Sequence, residues 1–372
     1  MAVPDFDAMA QPGIQGLRAY DPGHDIVTLR EKFAGKALLE LGSNESPYGP
    51  SPRARQAALD SMSSLHRYPD PLGTGLKLAL AEHLGIAPRQ LMLGNGSHEL
   101  LMMLAQVFAG PGADVVASEF AFAVYAIAAQ SAGANFSKAS AQPGGPMARG
   151  HDLAAIGAAI GERTRMVYLA NPNNPTGTWF SHALLDEFLS RQRPDLLVVV
   201  DEAYLEYVTD PALESAVSLL SRYPNLAVTR TFSKAYGLAG LRVGYLCAHP
   251  DLLQVLERAR ESFNVNSPGL AACAQALADQ GYLQTVRDGN AEEREWLAGQ
   301  LRRRGLGVGA SQTNFLLLDF GRDVAALESA LVHSGVILRP MSGYGLPTCL
   351  RITVGTRDDA VRFLHVLDQV LA

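Results

Sequence analysis

Thr231, Ser233, Lys234 and Arg242 fall within one short stretch of this chain, AVTRTFSKAYGLAGLRVGYL over 227–246. Two hydroxyls bracket a single lysine, and an arginine follows eight residues later. Leu226–Thr229 alternate weakly and read as a short buried strand. Gly237 and Gly240 let the backbone turn sharply and pack closely. A lysine considered alone is a solvated surface group. One that follows a buried strand among apolar and small residues is desolvated, so its pKa falls and it becomes a nucleophilic amine able to form a Schiff base with an aldehyde. Arg242 offers a planar fork suited to phosphate. An amine, a phosphate clamp and two hydroxyls together suggest a phosphorylated aldehyde cofactor, with pyridoxal phosphate the leading candidate.

Three further motifs belong with this one. Asp201-Glu202-Ala203-Tyr204 follows the apolar run Leu196–Val200. A carboxylate at that place is partly desolvated and costly unless paired. In isolation it is a turn or helix cap; with Lys234 near, a better partner is a protonated pyridine nitrogen, and the ion pair keeps the ring cationic. Tyr204, and Asn174 from the loop Asn171–Gly177, could hydrogen-bond the ring oxygen. Gly94-Asn95-Gly96-Ser97 separates a strand at 90–93 from a helix at about 98–109, and backbone N–H groups at such a turn form an anion site. By itself that turn is weak evidence, since most bind nothing.

The elements needed to hold these residues are legible as a pattern. Strands at 115–117, 166–169, 196–200 and 226–229 alternate with helices at 181–191 and about 213–221, which implies βαβ units and a parallel sheet. Right-handed crossovers bring the loops after successive strands to one edge, where open α/β sheets bind ligands. Beyond 250 come helices at about 250–262, 268–280, 286–303, 322–333 and 357–371 and strands at 314–318 and 350–354. On the helix at 286–303, Glu292, Glu293, Arg294, Glu295, Arg302 and Arg303 are expected to face solvent. The expected architecture is α/β, a large domain with a mostly parallel sheet over 51–260 and a smaller α+β domain over 261–372. Residues 1–50 are expected to be an arm that forms part of the small domain.

Composition narrows the function classes. The 372 residues are 48 % hydrophobic and 18 % charged, with 35 Gly and 21 Pro, which describes a well-cored globular protein. A net charge of −6 gives no reason to expect nucleic acid or an acidic membrane as partner. No apolar run approaches the roughly 18 residues needed to span a bilayer, and the first residues lack the basic patch and apolar core of a secretory signal. Cys247, Cys273 and Cys349 are far apart, without a zinc-like or disulfide-like spacing. The expected location is the cytoplasm.

N-P-N-N-P-T-G, D-E-A-Y and T-F-S-K-A-Y-G-L-A-G-L-R-V-G, in this order, resemble the fold-type I, pyridoxal-phosphate-dependent aminotransferases of class I/II. AYDPG, SNESPYGP, RYPD, GNGS-x-E, FAVY and LRITVGT are similar to the histidinol-phosphate aminotransferase branch, and the match runs from about Tyr20 to the C-terminus. The resemblance implies that Lys234 binds the cofactor covalently and carries the substrate's proton, and that Asp201 pairs with the pyridine nitrogen. It assigns Tyr204 and Asn174 to the ring oxygen, and Arg242, Ser233, Thr231 and the backbone of Gly96 and Ser97 to the phosphate. Tyr68 would reach the phosphate in the other subunit of a homodimer with shared active sites. Arg351 would bind the acidic group of the substrate, with Tyr20, Arg339 and Asn174 as helpers. Two positions depart from the pattern: Phe122 occupies the ring-stacking place often held by Tyr, and His98 stands where Asp is expected. His98 reads either as a neutral residue without a role or as a source of mild pH dependence in phosphate binding.

The implied partners are a small-molecule amino donor and a 2-oxo acid, histidinol phosphate and 2-oxoglutarate first, giving imidazole acetol phosphate and glutamate in histidine biosynthesis. An aromatic aminotransferase acting on Phe or Tyr, or a decarboxylase of a phosphorylated amino acid, would keep the same lysine. A ligand-sensor domain fused to a DNA-binding unit would need a basic helical pair, which the first fifty or so residues lack.

Overall fold

Leu197–Asp201 and Leu226–Thr231 are buried at every position, as strands covered on both faces must be. They lie at the centre of a seven-stranded sheet. In chain order its strands are β1 (Leu91–Gly94), β2 (Asp114–Ser118), β3 (Asn135–Ala139), β4 (Thr164–Ala170), β5 (Leu197–Asp201), β6 (Leu226–Thr231) and β7 (Gly244–Ala248). The order across the sheet is β1-β7-β6-β5-β4-β2-β3. Both neighbours of β7 pair with it antiparallel, and every other pairing is parallel. The carboxyl ends of six strands and the amino end of β7 therefore meet at one edge. The computed structural model describes residues 3–21, 23–33 and 37–372; Pro22 of the Ala19–Gly23 turn lies outside them.

Period-2 alternation divides the core between the two faces of this sheet. Val167, Leu169, Val198, Val200, Leu226 and Val228 join one hydrophobic cluster. Met166, Tyr168, Leu197, Val199 and Ala227 join the other, beneath the helix Ser97–Phe108. The helix Ser267–Ala278 packs in the first of these clusters, so the large core extends past the boundary at 260 expected from the sequence.

A second, antiparallel sheet runs Arg339–Pro340, Cys349–Thr353, Phe315–Asp319, Gly307–Val308. Its core is closed by the helices Gln280–Arg303, Ala325–His333 and Arg357–Leu371. Leu39–Glu40 pairs parallel with Val336–Ile337 as a separate two-stranded sheet, and the Thr353 N–H donates to the Leu41 carbonyl at 2.8 Å, tying the N-terminal arm to the four-stranded sheet. Two expectations of detail change. Instead of a helix at 213–221 there is a single 3₁₀ segment, Ala216–Leu219; just before it the Glu202 carboxylate takes the Ser215 hydroxyl (2.7 Å) and the Ala216 N–H (2.6 Å). Arg294 is buried, donating to the Thr313 carbonyl at 3.1 Å. Among the described residues no helix is long and apolar enough to cross a membrane.

Candidate active site

The shared edge opens on a cavity of about 330 Å³ lined by side chains from both sheets and the arm. Asp201 closes β5, carried inside by the four apolar residues before it. In register it stands beside Ala170 of β4 and Thr229 of β6. Thr229 Oγ1 donates to Asp201 Oδ1 at 3.1 Å, and Tyr125 Oη donates to Oδ2 at 2.9 Å. Burial pushes the Asp201 carboxyl up to about 6, opposed by those two hydroxyls, the Ala203 N–H and the charge of Lys234.

Lys234 follows β6 by three residues. Its Nζ donates to the Ser43 carbonyl at 3.3 Å and lies 5.8 Å from the centre of the Tyr204 ring. Burial pushes the amine down to about 8, helped by the cationic Arg351 and Arg242 against the pull of Glu45 and Asp201. Tyr204 is buried; its hydroxyl accepts from Asn44 Nδ2 at 2.9 Å, and burial moves it up to about 12.

The anion end lies where β1 gives way to the helix Ser97–Phe108. Gly96, at φ +81°, leaves no room for a side chain: a Cβ there would come within 2.7 Å of Arg242 Nη2. Arg242 reaches this point because it precedes the antiparallel β7, whose amino end shares the edge. It is exposed, has a left-handed φ of 55°, and donates to Ser233 Oγ at 3.3 Å. A free helix start, two hydroxyls (Thr231 and Ser233) and a guanidinium thus converge as phosphate recognition requires.

On the facing side, Arg339 and Arg351 are directly opposed in the antiparallel ladder of the small sheet. They therefore project from the same face, and both reach the cavity. Arg351 Nη1 donates to Asn174 Oδ1 at 2.7 Å and Nη2 to the Gly42 carbonyl at 2.8 Å. Arg351 Nε and Arg339 Nη1 are buried without a hydrogen-bond partner. Burial, with Arg339 nearby, lowers the affinity of Arg351 for its proton. Like charges opposed in a ladder are unfavourable, and the exposed Asp21 carboxylate, 3.6 Å from Arg339 Nη2, is the acidic group beside the pair, so the pair could receive an anion.

Twelve of the fourteen residues expected at the site line this cavity: Lys234, Asp201, Tyr204, Asn174, Arg242, Ser233, Thr231, Ser97, Phe122, Arg351, Arg339 and Tyr20. Gly96 adjoins it through Arg242. Tyr68 stands apart, 82 % exposed and stacked on Phe263 at 4.7 Å. His98 also lines the cavity, edge-on to Tyr20 at 6.2 Å, and burial with Arg242 favours its neutral form. Sequence reasoning missed Gly42-Ser43-Asn44, Tyr125 and Tyr344. Asn44 lies in the quoted SNESPYGP, and Tyr125 follows Phe122 by three residues in FAVY, so the motifs were visible while their inward side chains were not.

These residues fit pyridoxal phosphate. The glycine cradle could receive a phosphate, the buried acid a ring nitrogen, and the lowered amine an aldehyde. A family model for aminotransferases of class I and II matches residues 36–367. The histidinol-phosphate aminotransferase 2 of Methylococcus capsulatus is 45 % identical over 364 residues, covering 98 % of either chain. The protein of the same name from Pseudomonas aeruginosa is 45 % identical over 370 residues, covering 99 % of either. A crystal structure of histidinol-phosphate aminotransferase from Sinorhizobium meliloti in complex with pyridoxal-5'-phosphate superposes with a TM-score of 0.87, at 31 % identity and 97 % coverage of both chains.

Proposed function

The chain belongs to the aminotransferases of class I and II, and from that premise we propose that it transfers the amino group of histidinol phosphate to 2-oxoglutarate, yielding imidazole acetol phosphate and glutamate in histidine biosynthesis. The full-length similarity to histidinol-phosphate aminotransferases supports this substrate. The observation that carries it is the opposed pair Arg339 and Arg351, each with a buried unpaired N–H. Guanidinium forks accept a phosphate in one half-reaction and a carboxylate in the other.

When bound, pyridoxal phosphate supplies an aldehyde to carry the amino group and a ring that draws electron density from the substrate carbon. In this reading Gly96, Ser97, Thr231, Ser233 and Arg242 hold its phosphate. Asp201 faces the ring nitrogen, Tyr204 and Asn174 the ring oxygen, and Phe122 covers the ring face. Lys234, with its amine near about 8, takes the proton from the substrate's Cα and returns it on the other side of the exchange. Arg351, fixed by Asn174 and Gly42, orients the acidic group with Arg339 and Tyr20.

The exposed Tyr68, with Leu65 and Leu72 exposed beside it in sequence, supports a homodimer in which Tyr68 completes the partner subunit's phosphate site. Three buried free cysteines fit a reducing compartment, and cytoplasmic residence is part of the proposal.

The test is kcat/KM for histidinol phosphate against phenylalanine, with 2-oxoglutarate as acceptor. A preference of roughly a hundredfold or more is expected, because a phosphate offers the two guanidiniums more charge and more acceptor oxygens than the carboxylate of phenylalanine does. A level or reversed ratio would make the protein an aromatic aminotransferase.

A further inference from the structure

Asp201 is held by more than its place at the end of β5. Tyr125, in the helix Val124–Ser131, is completely buried and lines the cavity. Its ring lies parallel to that of Tyr168 on β4, with centroids 4.6 Å apart and planes 5° apart. Tyr168 in turn donates to the Leu101 carbonyl at 2.7 Å, inside the helix whose first turn offers the anion site. A continuous run, helix Ser97–Phe108 to Tyr168 to Tyr125 to Asp201, thus joins the phosphate end of the cavity to its acidic end. Every link is a hydrogen bond or a ring stack between buried groups.

Geometry sets what Tyr125 can do. The two carboxylate oxygens each receive one hydroxyl, Thr229 on Oδ1 and Tyr125 on Oδ2. One donor would leave the carboxylate free to rotate about it; two donors on different oxygens fix its plane. Both hydrogen bonds favour the ionised form. The other titratable groups acting on Asp201 or set near it are Lys234, Tyr168 and Tyr204; of these only Lys234 is a cation, and it opposes burial less than either hydroxyl does.

Resting on the aminotransferase reading above, we propose that Tyr125 is a positioning residue of the reaction: its hydroxyl, braced by the Tyr168 stack, aims the Asp201 carboxylate at the cofactor's ring nitrogen and keeps it ionised. The ring proton then stays in place, and the cationic ring weakens the hold of the Lys234 nitrogen on its own proton.

Tyr125→Phe removes the donor and leaves the ring stack intact. The purified variant is loaded with pyridoxal phosphate, and the visible absorbance of the bound cofactor is titrated against pH, beside wild type, Asp201→Asn and the double variant. The midpoint is expected to rise by about half a unit or more, with kcat falling about tenfold and the KM for 2-oxoglutarate within about twofold of wild type. In the Asp201→Asn background the same change should add nothing, because the two residues act as one unit. A merely structural tyrosine would leave the midpoint unmoved. If Tyr125→Phe fails to fold, Thr229→Val removes the other hydroxyl from the same carboxylate and should move the midpoint in the same direction. A normal wild-type band with an unmoved midpoint in the variant, or shifts that add fully to those of Asp201→Asn, overturns the role of Tyr125 alone. Absence of any band from wild type overturns the cofactor reading and this proposal with it.

Discussion

Asp201 carries a cost that the cofactor-free protein must bear. Its carboxyl sits at about 6 in the folded chain against an ordinary 3.8, chiefly because of burial. A raised folded pKa means that the folded state binds this proton more tightly. The favourable contribution is complete below pH 3.8 and lost as pH climbs through about 6. Asp201→Asn keeps the shape and abolishes the charge. It should stabilise the cofactor-free protein at pH 8 by up to about 3 kcal/mol and by nearly nothing at pH 3.5. Urea unfolding at the two pH values measures this; equal effects at both would mean that the buried carboxylate is relieved by something other than protonation. Bound cofactor should reverse the sign, since the charge then has a cationic partner.

At the scale of elements, the strand-to-helix turn at Gly96 controls one half of the site. Gly96→Ala places a Cβ at φ +81° and 2.7 Å from Arg242 Nη2. The substitution should weaken pyridoxal phosphate binding at least about tenfold while changing the uptake of unphosphorylated pyridoxal little. Absorbance titration with the two aldehydes separates these outcomes, and equal losses would place the defect outside the phosphate cradle. Elements of this kind were legible because their residues bury both faces of a sheet or flank a glycine turn. β5 reads directly as an apolar run and β6 as a short, weakly alternating strand. β3, an edge strand of sequence NFSKA with mostly exposed positions, has no such signature, and the helix Val124–Ser131 has no side-chain cap to announce it. The residues missed at the site belong to this group: Tyr125 rides on the uncapped helix, and Asn44, at a left-handed φ of 57°, lies in a loop whose prolines suggested only a turn. The inward aim of Arg339 and Arg351 depends on ladder register, which pattern alone does not give.

For the whole molecule, the proposed sharing of sites has a measurable signature. Tyr68→Ala and Lys234→Ala damage different subunits' contributions to one site, so a mixed dimer holds one intact site. Co-refolding equal amounts of the two inactive or weakened variants should restore roughly a quarter of wild-type turnover, since about half of the dimers are mixed and each has one working site of two. Activity no greater than the average of the separate variants would show that each site is built from a single chain.

The segment Gly42–Asn44 has one more consequence. Asn44 N–H is held by Thr353 Oγ1 and its carbonyl by Asn314, while the Gly42 carbonyl is held by Arg351. Asn44 and Thr353 are 309 positions apart. During translation this segment therefore leaves the ribosome early and waits for nearly the whole remaining chain before its bonds to Arg351 and Thr353 can form. A nascent chain stopped short of Thr353 holds Lys234, Asp201 and Gly42–Asn44 but lacks the hydroxyl that fastens the Asn44 N–H.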